Sequence, residues 1–200
     1  MSQTTADHPA PAAPLIADPA PLGLAGFAMT TMALSLWNAN IYPAAVSSAL
    51  ALALAYGGGA QLLAGMWEFK RGNTFAATAF SSYGAFWIAF WFLVTHLLPS
   101  VSAADAPSVV GSFLVGWCLF TFYMSIAALR VSGAVLLVFV LLTIAFVLLT
   151  IGAYRSNMTF THWGGYVGLA TAAAAWYASF AGVTNSTFGK TVLPTWPLAR

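Results

Sequence analysis

Charged residues are so sparse in this chain that they mark out its elements. Uncharged, strongly apolar runs cover 19–67, 72–104, 106–129, 131–154 and 156–189. A helix needs about 20 apolar residues to cross a bilayer. The first run is too long for one helix, and Asn40–Pro43 interrupts it, so it holds two. The pattern therefore predicts six transmembrane helices, near 23–41, 46–67, 75–98, 108–129, 133–153 and 163–183. The fold class is an all-α integral membrane protein, and an even number of spans puts both termini on one side.

The ends of the chain read differently. Residues 1–17 are rich in Ala and Pro without periodicity, which predicts a disordered tail. The six-helix transmembrane domain then runs over 18–190, with a short C-terminal tail at 191–200. In Asp18–Phe27, DPAPLGLAGF, two prolines hold the chain extended, so the first helix is expected to begin only after Pro21.

Composition supports this reading. The chain is 60% hydrophobic and 5% charged, whereas soluble domains carry about 25% charged residues. Such a ratio excludes a water-soluble surface, and the net charge of +2 does not point to nucleic acid, because the cations sit at loop positions. Lys70, Arg71, Arg130, Lys190 and Arg200 fall on the side of the termini and only Arg155 opposite. The positive-inside rule then predicts cytoplasmic termini, in a multi-pass protein of the plasma or inner membrane. No cationic segment precedes the first apolar run, so a cleaved signal peptide is not expected. The single cysteine, Cys118, forms no intrachain disulfide and is expected to pack.

Candidate chemistry concentrates between Tyr56 and Trp87. Gln61 and Glu68 are two helical turns apart and share a face with Gly57 and Gly65. Gln61 is either a bond between helices or a donor to a carboxylate. Glu68 is either an interfacial partner of Lys70 or Arg71, or a proton-linked or gating carboxylate at an inner vestibule. The Gly57–Gly59 run lies inside an apolar span with no GK[ST] after it, so it is a packing surface and not a phosphate loop. Asn73 and Thr74 open the third helix, whose free N–H groups suit a carboxylate, although Asn73 serves equally as a cap. On the first helix Phe27, Thr31, Leu34 and Asn38 share one face, which suits helix packing or the wall of a path. Helices four and five read as scaffold and lipid-facing surface. Neither a Ser/His/Asp set nor a metal-ligand cluster is present in the sequence, so no enzyme, metal or cofactor is expected. A transporter or channel remains, with a non-transporting sensor or scaffold as the alternative.

Three separated motifs narrow the choice. DPAPLGL at 18–24, YGGGAQLLAGMWEFKRGNTFAATAFSSYGAFW at 56–87 and FGKTVLP at 188–194 together resemble the acetate uptake transporter family, the succinate–acetate permease-like proteins. The first of these is the family signature, carried here by Asp18, Pro19, Pro21 and Gly23. The family has Asn where this chain has Asp18, a change that would preserve a helix cap but repel an anion unless the aspartate is neutral or paired. The resemblance implies a pore constriction formed by Phe27, Tyr83 and Leu142. It also implies acetate and related short carboxylates as cargo, succinate as a further one, and a homo-hexamer with a path in each protomer. Thr31, Asn38, Gln61, Glu68, Asn73 and Thr74 are the candidate polar residues of that path. A short carboxylic acid has a pKa near that of Glu, about 4.3, and is anionic at neutral pH. Neutral donors, in spans free of Lys and Arg, would hold such an anion weakly enough to release it. Channel-like and proton-coupled movement both fit the sequence.

Overall fold

The computed structural model describes residues 16–198. The apolar runs fold as six helices long and apolar enough to cross a membrane: α1 (Ala20–Asn38), α2 (Ala45–Arg71), α3 (Thr74–Ser100), α4 (Ala106–Ala128), α5 (Gly133–Tyr154) and α6 (Met158–Phe188). The described residues contain no strand beyond one isolated bridge, between Ser132 and Pro197. The predicted tail lies almost wholly outside the described residues, as does Arg200.

Helix ends follow local chemistry. Asn73 Oδ1 accepts the Ala76 N–H at the start of α3, Ser132 Oγ the Val135 N–H at α5, and Asn157 Oδ1 the Thr159 N–H at α6. Gly72 and Gly189, with φ of 75° and 64°, end α2 and α6 in the left-handed region. The first and sixth helices differ from expectation in ways with a physical reason. The first helix begins at Ala20 and includes Pro21 in its opening turn. That position tolerates proline because the missing N–H would have no helical partner anyway. The sixth helix is longer than predicted, running over 31 residues. Its polar ends extend past the apolar stretch that hydropathy detects.

The helices pack around the bundle in chain order: α1 lies against α2 and α6, α2 against α3, and α5 against both α4 and α6. Lipid tails are as apolar as leucine, so packing within a membrane depends on close approach. At the α2–α3 contact, a Cβ on Gly65 would run into Ser81, and one on Gly84 would lie 2.6 Å from the Leu62 backbone nitrogen. At the α1–α6 contact, Gly165 and Gly168 meet Ala39 and Ser35 in the same way. Within α2 the helix widens into a π turn over Ala55–Ala60, where the glycines sit. The buried centre is aromatic, with Phe27, Tyr83, Phe86, Trp87, Phe139 and Phe146 in one cluster.

The C-terminal residues are fastened rather than trailing. Asn185 Oδ1 accepts the N–H groups of Val192 and Leu193. Tyr177 donates its hydroxyl to the Pro194 carbonyl at 2.7 Å, and Trp196 stacks on its ring. Backbone bonds from Gly133 to Trp196 and from Leu198 to Val131 then tie residues 191–198 to the α4–α5 turn.

Candidate functional site

Two cavities lie between the helices, one towards each face. The face that carries residues 16–19 and 189–198 is called terminal here, and the other distal. The distal cavity, about 280 Å³, is walled by α1, α3, α4, α5 and α6. The terminal cavity, about 110 Å³, lies among α1, α2, α3 and α5. Among the described residues, none that is charged lines either cavity. Of the described residues, Phe27, Tyr83 and Leu142 alone line both.

The position of these three side chains is set from several directions. The Phe27 and Tyr83 rings are 5.7 Å apart at a tilt of 56°. Tyr83 also meets Phe120 edge-on and packs against Phe139. Its hydroxyl lies 2.8 Å from Thr121 Oγ1, which in turn donates to the Trp117 carbonyl at 2.7 Å. The threonine's one hydrogen is thus used, so Tyr83 is the donor to Thr121. A buried hydroxyl with a fixed partner holds its ring in one orientation. Thr121 and the α4 residues Val110, Phe113 and Leu114 were not expected here, because helix four reads as scaffold. Nothing in the sequence singled out Thr121 from the serines of α4, Ser108, Ser112 and Ser125.

The other anticipated residues divide into three groups. Thr31 and Asn38, both buried, line the distal cavity together with Ser35. Gln61, buried, and Asn73, exposed, line the terminal cavity. Glu68 and Thr74 line neither. Thr74 is exposed at the start of α3, while Glu68 is fully buried and turned towards the start of α1. There Arg71 Nη1 lies 2.5 Å from Asp18 Oδ1 and 3.4 Å from Glu68 Oε2. The arrangement sets Glu68 beside Arg71, as an interfacial partner would sit, but without exposure to solvent.

The signature residues form a corner rather than a cavity wall. Asp18 lies one residue ahead of the N-cap, Pro19, and accepts the Ala20 N–H at 3.0 Å, so it meets the helix start without being its capping residue. Pro19 is buried, and the Pro21 carbonyl accepts the Ser179 hydroxyl of α6 at 2.7 Å. Gly23 lies where any Cβ would strike the Phe80 ring.

Among the described residues, several buried polar atoms have no protein partner. Thr31 Oγ1 and Trp87 Nε1 belong to residues in the wall of the distal cavity, one helical turn beyond Phe27 and Tyr83. Gln61 Oε1 belongs to a residue in the wall of the terminal cavity, and Glu68 Oε1 is buried outside both walls. Native interiors rarely leave such atoms without a partner.

Six apolar helices around an axial pair of neutral cavities define a multi-pass protein of the cell membrane. The chain belongs to the GPR1/FUN34/yaaH family, whose model matches residues 3–200. It is 42% identical over 181 residues to the succinate-acetate/proton symporter SatP of Escherichia coli (strain K12), covering 90% of this chain and 95% of that one. It is also 42% identical over 197 residues to acetate permease A of Emericella nidulans, covering 89% of this chain and 65% of that one. The solved structure of the bacterial acetate channel SatP matches with a TM-score of 0.85 at 40% identity, over 90% of this chain and 99% of that one.

Proposed function

We propose that the protein moves acetate and related short-chain carboxylates, succinate among them, across the membrane through a path in each protomer. The observation that carries this reading is the pair of uncharged cavities meeting at Phe27, Tyr83 and Leu142. The relatives named for acetate and succinate supply the cargo. An anion shedding part of its water needs donors close by and no cation strong enough to trap it. Thr31, Trp87, Asn38 and Gln61 offer such neutral groups on either side of the three apolar side chains. The methyl group of acetate suits the rings, whereas a small, strongly hydrated anion gains nothing from them. We read the protein as a transporter without a catalytic role. The transport unit spans 18–190, both termini are cytoplasmic, and the terminal cavity is then the inner vestibule.

Two mechanisms fit the cargo, and the relatives' names include both a symporter and a channel. Glu68 is the residue we assign to any proton linkage. It is fully buried, and one of its oxygens lacks a partner that a proton could supply.

Reconstituted protein is expected to carry labelled acetate into liposomes. Flux no greater than that of empty vesicles, with the protein folded, would replace this reading with the sensor or scaffold alternative. We also propose a homo-oligomer, a hexamer by family resemblance. Trp67, Phe69, Phe122, Trp163 and Phe180, all more than half exposed, offer outward surface for lipid and for neighbouring copies. Mass measurement in mild detergent is expected to give a six-fold multiple of the 21.0 kDa chain, and a monomer alone would refute it.

A further inference from the structure

On the terminal face, Asp18 and Glu68 gather around one guanidinium. Arg71 Nη1 donates to both Asp18 Oδ1 and Glu68 Oε2. Both bonds leave from that one nitrogen, and Nε and Nη2 make none to the described residues. A guanidinium presents donors in a planar fork that matches a carboxylate two-to-two. Here the protein occupies one corner of the fork and leaves its other donors open, on a side chain that is 28% exposed. The site borders the terminal cavity: Ala20 and Asn73, each two residues from a member of the ion pair, line its wall. Lys70 is the exposed neighbour, while Arg130 and Lys190 stand on the same face in other turns.

We propose that Arg71 is a carboxylate-docking point at the terminal mouth of the path, and that Asp18 sets how tightly it holds. This rests on the reading of the protein as a carboxylate transporter. A short-chain carboxylate takes the open donors of the fork while Asp18 and Glu68 keep Nη1 occupied and the side chain in place. An unshared arginine would bind an anion too firmly for rapid release. Two protein carboxylates on the same cation reduce the attraction left for a third, so docking stays weak enough for turnover. The aspartate at position 18, where the resembled signature has an uncharged Asn, thereby gains a role beyond its bond to the Ala20 N–H.

Phenylglyoxal, which modifies accessible arginines, tests this on the unaltered protein in membranes. At constant ionic strength, replacing chloride by acetate is expected to slow modification of Arg71, read by peptide mass. Arg155 on the distal face is expected to react at an unchanged rate. Equal Arg71 rates in the two salts would overturn the proposal. Transport kinetics provide the second arm. D18N is expected to lower the half-saturation concentration for acetate entering from the terminal face by about threefold, the scale of one exposed ion pair. In the D18N/R71Q double variant that gain should disappear. If D18N leaves half-saturation unchanged, Arg71 is only a tie between α1 and α2. A wild-type protein that carries no acetate would instead refute the transport reading itself, an outcome the modification assay does not share.

Discussion

The two cavities differ in more than size. The distal one has more than twice the volume of the terminal one, about 280 against 110 Å³, and its wall carries more small polar side chains, with Thr31, Ser35, Asn38 and Thr161 among them. The terminal one has Gln61 and Asn73 as its amide side chains, among rings such as Phe75, Phe80 and Phe139 and aliphatic residues such as Val135 and Val138. Charge is distributed the other way. Asp18, Glu68 and Arg71 cluster beside the terminal cavity, and the distal face has only Asp105 and Arg155 in its turns. The unpartnered atoms of the distal wall, Thr31 Oγ1 and Trp87 Nε1, can donate, whereas those on the terminal side, Gln61 Oε1 and Glu68 Oε1, accept unless protonated. The contrast teaches that a single path can meet an anion in two ways. On the distal side neutral donors sit inside an apolar vault, and on the terminal side the Gln61 amide is joined by a shared cation and a buried carboxylate.

The sharpest way to break this contrast is to join the chambers. Tyr83→Ala removes one of the two rings that line both cavities, and its flux ratio of succinate to acetate is expected to rise about tenfold, equivalent to about 1.4 kcal/mol of lost discrimination. Truncating a buried aromatic also costs about 3–5 kcal/mol of stability, so assembly must be verified by mass before flux is read. An unchanged ratio in well-assembled protein would make Tyr83 ordinary packing.

A smaller effect is expected from Glu68→Gln, which keeps the shape and removes the ionisable group. Uptake should fall and its dependence on pH should flatten, because the residue assigned to proton linkage can no longer gain or lose a proton. If rate and pH profile both stay as they were, Glu68 serves only as the partner of Arg71.

The mildest test alters the support behind the ring. Thr121→Val keeps the volume but leaves the Tyr83 hydroxyl without its acceptor, at a cost of about 1–3 kcal/mol. Thermal unfolding in detergent should shift down, and the succinate-to-acetate ratio should move in the same direction as with Tyr83→Ala, by less. Unchanged stability would mean that the hydroxyl finds another partner.

Much of this architecture was legible in the residues. Apolar run length is a local property, and the cost of burying charge in hydrocarbon is large, so the six spans and the Asn40–Pro43 break could be read directly. Glycine faces announced close contacts for the same reason, since a missing side chain matters only where another backbone approaches. Asp18 was legible as a residue at the start of the first helix, and its Arg71 pairing was not. Those two residues are 53 positions apart, and only the packing of α1 on α2 brings them together.

What the tertiary structure alone decided is which face of each helix turns inward. Helix α5 is apolar all round, so nothing in its pattern distinguishes Leu142 from its neighbours, and family resemblance was the sole reason to single it out. Its inward position follows from packing between α4 and α6. The same applies to Thr121, whose pairing with Tyr83 joins positions 38 residues apart, and to Glu68, whose full burial depends on the start of α1 lying over it. The docking of residues 191–198 on the α4–α5 turn belongs with these. Hydrophobicity determines that a segment enters the membrane, because transfer from water dominates that choice. Once inside, every helix is equally at home in lipid, and orientation is set by close packing and by the few hydrogen bonds that distant residues complete.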